Sequence, residues 1–226
     1  MAMKNSTKIQ LAVIGGLVVA AVGIVLAVTA NQAPASAPGA AAATAPMTTP
    51  VVAENSHRLD VAEGSTVTFT EFLDFECEVC GAVYPFVEEL RADYAGEVTF
   101  VTRYFPMPGH TNSRTAAIAV EAAAQQGEFE AMYDRMFETQ AEWGEQQASK
   151  ADVFRQYAAD LGLDMAAYDE AVADPATETR VQFDFDAAVA LGAQGTPTIF
   201  INDELVPLTS PDDIRAALER AVATSE

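Results

Sequence analysis

The stretch TVTFTEFLDFECEVCG, residues 66–81, carries both a strand and its hand-over to a helix, and its reading decides the fold. Thr66 to Asp74 is β-branched and aromatic with apolar alternation, the pattern of a strand. After Phe75 to Gly81, the residues Val83, Phe86, Val87 and Leu90 recur at helical spacing. Cys77 and Cys80 therefore stand where a strand gives way to a helix. Pro85 lies five residues past Cys80, inside that helix, where it removes a backbone donor and kinks the axis.

Working outward, Ser56 to Val61 reads as a short strand, followed by a turn at Glu63-Gly64-Ser65. Glu97 to Phe105 is a further strand, ended by Pro106-Met107-Pro108-Gly109. Five helical stretches follow. Asn112 or Ser113 caps the first, which runs to Gln126, and Glu128 to Gln140 carries Phe129, Met132, Met136 and Phe137 on one face. Ser149 caps Lys150 to Leu161, and Asp164 caps Met165 to Ala173. Pro175 opens the last, which reaches about Leu191. Thr198 to Ile201 returns to strand chemistry, Leu205-Val206 is its partner after a turn, and Ser210-Pro211 starts a closing helix to Ala223. The expected class is α/β, with a helical insertion at about 110–192 between two halves of one sheet.

Residues 1–53 differ in kind. Residues 1–10 are polar and carry Lys4 and Lys8; residues 11–30 are an uncharged apolar run. Twenty helical residues span about 30 Å, the hydrocarbon thickness of a bilayer. The lysines before the run put residues 1–10 in the cytoplasm and everything after Ala30 outside. A single transmembrane anchor over 11–30 is expected. The competing reading is a cleaved signal peptide, because Val28-Thr29-Ala30 has a small-residue cleavage pattern; the run is longer than a usual signal core. Residues 31–53, rich in Ala and Pro, read as a linker without a fold of its own, and residues 54–226 as the exported domain.

All 33 acidic residues lie at Glu54 or later, against ten basic ones there, a net of −23 for residues 54–226. Phosphates need a basic face, so nucleic acid is excluded as a partner. Two cysteines and two histidines in 226 residues cannot build a disulfide scaffold or a four-thiolate metal site.

Cysteines at i and i+3 of a helix share a face. At the helix start the first one meets unpaired N–H groups and the positive end of the helix dipole, which favour thiolate over thiol. A thiolate is the attacking species in disulfide exchange, and a second thiol closes the ring to release the partner. The chemistry needs no cofactor. A zinc or copper site completed by His57, His110 or Met107, and a structural disulfide, are the alternatives for the same pair.

With Gly195-Thr196-Pro197-Thr198 before the late strand, the match becomes specific. FLDFECEVC, the helix containing Pro85, RYFPMPGH with Asn112-Ser113, the helices through Trp143, and GTPTIFIN together resemble a DsbA-like member of the thioredoxin superfamily over residues 55–224. The resemblance implies a thioredoxin-like fold, Cys77 as the nucleophile and Cys80 as the resolving cysteine. It also implies a cis Thr196–Pro197 loop that lies against the pair and binds extended substrate. It further implies cysteine-containing exported proteins as substrates, a membrane partner for redox recycling, and a role as protein disulfide oxidase, reductase or isomerase. One departure stands out: strong oxidants of the family carry Pro-His between the cysteines, whereas this chain has Glu78-Val79, with Glu76 before Cys77. Both carboxylates are expected to raise the Cys77 pKa and weaken the oxidant. His110 reads as a loop or cap residue, Trp143 as core or groove wall, and Asp184 and Asp186 as solvated helix positions.

Overall fold

The computed structural model describes residues 49–225. The expected anchor over 11–30 and residues 31–48 of the linker lie outside them; among the described residues no helix is long and apolar enough to cross a membrane.

Five strands form one mixed sheet: β1 (His57–Asp60), β2 (Thr68–Leu73), β3 (Thr99–Tyr104), β4 (Thr198–Ile201) and β5 (Glu204–Val206), in the spatial order β1-β3-β2-β4-β5. β2 and β3 are parallel; every other pair is antiparallel. The parallel pair needs a crossover, supplied by α1 (Glu78–Asp93). The other helices are α2 (Ser113–Ala124), α3 (Phe129–Glu138), α4 (Gln140–Trp143), α5 (Ala151–Asp160), α6 (Met165–Ala173), α7 (Pro175–Ala190) and α8 (Pro211–Ser225). The thioredoxin-like α/β fold and the insertion between β3 and β4 are as the sequence leads one to expect. The stretch expected as one helix over 128–140 ends at Glu138, and Gln140 starts a separate turn.

The central strand β2 is covered on both faces. Phe69 packs with Phe100, Ile199, Val87, Leu90, Ile214 and Leu218, so α1 and α8 cover that face. Phe72, of opposite parity, packs with Phe200, Phe105, Ala187 and Ala188, which brings α7 to the other. A third cluster fills the insertion. Its middle is α2, whose Ala116, Ala117, Ala119, Val120, Ala122 and Ala123 are all buried. Small side chains around the helix let α3, α5, α6 and α7 all approach it closely. Trp143 is in this core, with its indole N–H on the Met136 carbonyl at 3.3 Å.

Two expectations are corrected here. Val51 and Ala53, assigned by sequence to the unfolded linker, are buried, and Arg103 donates to the Pro50 and Val51 carbonyls at 3.0 and 2.9 Å. Asp184, expected in solvent, is fully buried. It shares the inward face of α7 with Val181, Ala187 and Ala188, accepts from Arg103 at 2.8 Å and lies 2.7 Å from Arg180. Asp186, two residues on, is exposed as expected.

Candidate active site

Cys77 is the N-cap residue of α1, with extended backbone at φ −70° and ψ 121°. Its sulfur occupies the place where a serine or aspartate oxygen normally satisfies the first N–H groups of a helix. No hydrogen bond to the sulfur closes this cap, but the nearby Val79 and Cys80 N–H groups favour its charged form. The first hydrogen bond of the helix runs from the Gly81 N–H to the Cys77 carbonyl at 3.0 Å. Both cysteines are free thiols, 6% and 1% exposed. Between them Val79 is 55% exposed, an apolar patch on the rim.

The two thiols are unlike. The Cys80 thiol hydrogen-bonds the Cys77 sulfur, and this contact is the largest influence on Cys77. Burial opposes it, but Thr196 and the helix N–H groups add to it, and the Cys77 pKa falls to about 6. Burial pushes Cys80 well up, helped by its bond to Cys77 and by the Glu71 carboxyl. One thiol is therefore a thiolate at neutral pH and the other is not.

The Thr196–Pro197 bond is cis, and the Thr196 carbonyl lies 3.4 Å from the Cys77 sulfur, where it accepts from the protonated thiol; the Thr196 side chain favours the thiolate. The structure thus brings together all four residues of the expected constellation. Beside this loop is a cleft of about 380 Å³ lined by Gly195, Thr196, Pro197 and Leu205 among others. A larger cleft, about 780 Å³ between β5 and α8, includes neither cysteine.

Glu76 and Glu78, expected to act on the thiolate, hold other partners. Glu76 is buried and accepts the Asn112 N–H. Glu78 is fully exposed and hydrogen-bonds Glu145, which lowers its pKa and raises that of Glu145.

Three groups were not legible as site residues. Glu71 on β2 shares the parity of Phe69 and faces α1; burial pushes its pKa up to about 8, with the Cys77 and Glu88 charges adding to that. Its signal was present, since alternation through TVTFTEFL assigns it to an apolar face. Gln140 donates to the Phe75 and Cys77 carbonyls at 2.8 and 2.9 Å and so fixes the cysteine turn. A Cβ at position 81 would lie 2.0 Å from Gln140 Oε1, which explains glycine there. His110 meets the buried Asp74 at 2.6 Å, a bond across 36 residues with no local signal.

A family model described as Thioredoxin matches residues 62–220. The chain is 36% identical over 198 residues to the Na(+)/H(+) antiporter NhaA 3 of Salinispora tropica, covering 83% of this chain and 29% of that protein. It therefore spans less than a third of that relative's length. A thioredoxin-like oxidoreductase from Silicibacter pomeroyi superposes with a TM-score of 0.65 at 26% identity, over 77% of this chain and 96% of the other. Oxidised BdbD from Bacillus subtilis gives 0.64 at 22% identity, over 74% and 93%. The extent of the family match and the shared fold lead to one assignment: the chain belongs to the thioredoxin family.

Proposed function

We propose that the protein is an extracytoplasmic thiol–disulfide oxidoreductase that oxidises cysteines of exported proteins through Cys77 and Cys80. The observation that carries this reading is the placement of Cys77 at the N-cap of α1, against the cis Thr196–Pro197 loop and with Cys80 buried behind it, which lowers the Cys77 pKa to about 6 and raises that of Cys80. Stabilising the Cys77 thiolate stabilises the reduced form, and so makes the disulfide an oxidant. The apolar run over 11–30, with lysines before it, supports the location and a membrane tether.

In the forward direction a substrate thiolate attacks the Cys77 sulfur. The Cys77–Cys80 bond breaks, and its electron pair leaves on Cys80, which takes up a proton. Glu71, half-protonated at about pH 8 beneath the pair, is the proton source the fold supplies. A second substrate thiolate then attacks the substrate sulfur of the mixed disulfide and releases Cys77 as thiolate. The substrate has lost two electrons and the enzyme holds them, so a membrane oxidase must remove them before the next turnover. The Thr196–Pro197 loop and Val79 form the surface on which an extended substrate lies.

The test is reoxidation of a reduced, unfolded disulfide protein. Cys77→Ser should abolish it, and Cys80→Ser should trap mixed disulfides. Retained exchange in Cys77→Ser, or faster alkylation of Cys80 than of Cys77, would overturn the assignment.

A further inference from the structure

The loop after β3 is fastened to the cysteine turn by the acids of the DFEC motif. Asp74 is buried and fully used: Oδ1 accepts the Glu76 N–H at 2.9 Å, while Oδ2 accepts the Met107 N–H at 3.0 Å and faces His110 Nδ1 at 2.6 Å. The Asp74 carbonyl accepts the Cys77 N–H at 3.1 Å. Glu76 takes the Asn112 N–H from the far end of the same loop. Residues 107–112 are thereby held against residues 74–77 at three points, with His110 between them. A carboxylate only accepts, so Nδ1 carries a proton and Nε2 is left without a hydrogen bond among the described residues. His110 is 29% exposed at its side chain, so it sits at the mouth of the site and not in the core.

We propose that His110, held by Asp74, is the positive group of this dithiol site, supplying from the β3–α2 loop the charge that strong oxidants of the family carry between their cysteines. The inference rests on the reading of Cys77 as the exchanging thiol. When the second substrate thiolate breaks the mixed disulfide, the electron pair departs on the Cys77 sulfur, and an imidazolium nearby favours that departure. Other groups facing His110 are the carboxyls of Asp74, Glu76, Glu78 and Glu145 and the Cys77 sulfur. Burial alone would lower the His110 pKa, but the Asp74 hydrogen bond and charge, with Cys77 and Glu76, raise it, which favours the charged ring beside the Cys77 thiolate.

The experiment uses the full chain in detergent. The Cys77 thiolate is titrated by its ultraviolet absorbance, and the disulfide is equilibrated against glutathione. His110→Gln should raise the Cys77 pKa and make the disulfide about two- to fivefold less oxidising, the range of a partly exposed charge pair. His110→Lys should recover most of that loss. The difference between His110→Gln and wild type should fade as pH rises through the His110 titration. Equal values for wild type and His110→Gln, or equal losses in the Gln and Lys variants, would overturn the proposal. Wild type offers a second readout that needs no variant. Coupling is reciprocal, so the His110 ring should titrate at higher pH in the reduced protein than in the oxidised one, as read by NMR. Identical titrations in the two redox states would also overturn it. Failure of wild type to exchange with glutathione at all would instead remove the dithiol reading beneath the proposal.

Discussion

Two of the carboxylates buried close to this sheet, Asp184 and Glu71, have opposite surroundings. Asp184 on α7 is met by Arg103 and Arg180 and also accepts the Tyr104 N–H at 3.2 Å. Glu71 on β2 has no cation among the groups that set its titration; its charged neighbours there are Cys77 and Glu88. Through Arg103, the first ties β3, α7 and residues 50–51 together. The second gives up its charge and holds a proton up to about pH 8. A buried acid with a partner belongs to the architecture, and one without a partner is poised for proton transfer.

The largest expected effect breaks the paired side of this comparison. Asp184→Ala leaves the buried Arg103 guanidinium and the partly buried Arg180 without this counter-charge, which costs about 3–5 kcal/mol. Denaturant unfolding should show a loss of that size. The Cys77 titration of the protein that still folds should stay where it was. A loss within experimental error would mean that water or the Tyr104 ring under Arg180 compensates the cations.

Glu71→Gln should act in the opposite direction. Its folded pKa of about 8 lies above the ordinary 4.5, so the native state holds a proton that the unfolded chain releases. Wild-type stability therefore falls as pH rises from about 4.5 to 8, by up to about 5 kcal/mol in total. The amide removes that slope, so oxidised Glu71→Gln should be no more stable than wild type near pH 5 and clearly more stable near pH 8. It also removes the proton source for Cys80, and opening of the disulfide by substrate should slow by about tenfold or more. Parallel stability profiles for the two proteins would show that Glu71 is solvated after all.

Asp184 and Glu71 also mark how far the sequence could be read. The element order, the cysteine pair at the strand–helix junction and the Thr196–Pro197 loop follow from periodicity, turn residues and motif, which are local. Asp184 sits between Phe183 and Phe185, and hydropathy alone exposes the acid and buries the aromatics. The structure does the reverse for Phe183, 45% exposed, because Arg103 arrives from β3 to meet the acid. That partner is 81 residues away, and no local pattern announces it. The same holds for His110 and Asp74, and for Gln140 and the cysteine turn. What stayed hidden is long-range polar pairing, where recognition depends on which two elements the core brings together.

A third prediction concerns the redox state. The Cys77 pKa of about 6 lies below the ordinary thiol value near 9, so its thiolate stabilises the reduced fold at high pH, and that contribution is lost as pH falls through about 6. The oxidised protein has no such group. The stability of reduced over oxidised protein should thus grow between about pH 6 and 9. Paired thermal melts of the two forms would measure it, and a flat difference would mean that the thiolate gains nothing from the helix end.

The smallest effect belongs to the acid that is not buried at all. Glu78 is the first residue of α1 and fully exposed, so water and salt screen its repulsion of the Cys77 thiolate. Glu78→His should lower the Cys77 pKa and make the disulfide more oxidising, because it removes a negative charge and, when protonated, adds a positive one. It also puts a second imidazole near His110, so the gain should stay below about threefold in the glutathione equilibrium. The shift should shrink further at an ionic strength of about 1 M, where the screening length falls to roughly 3 Å. If the variant matched wild type at low salt, exposed charge would have no hold on this couple. The potential would then be set within the fold, by the Cys80 contact, the helix N–H groups and the uncompensated acid beneath them.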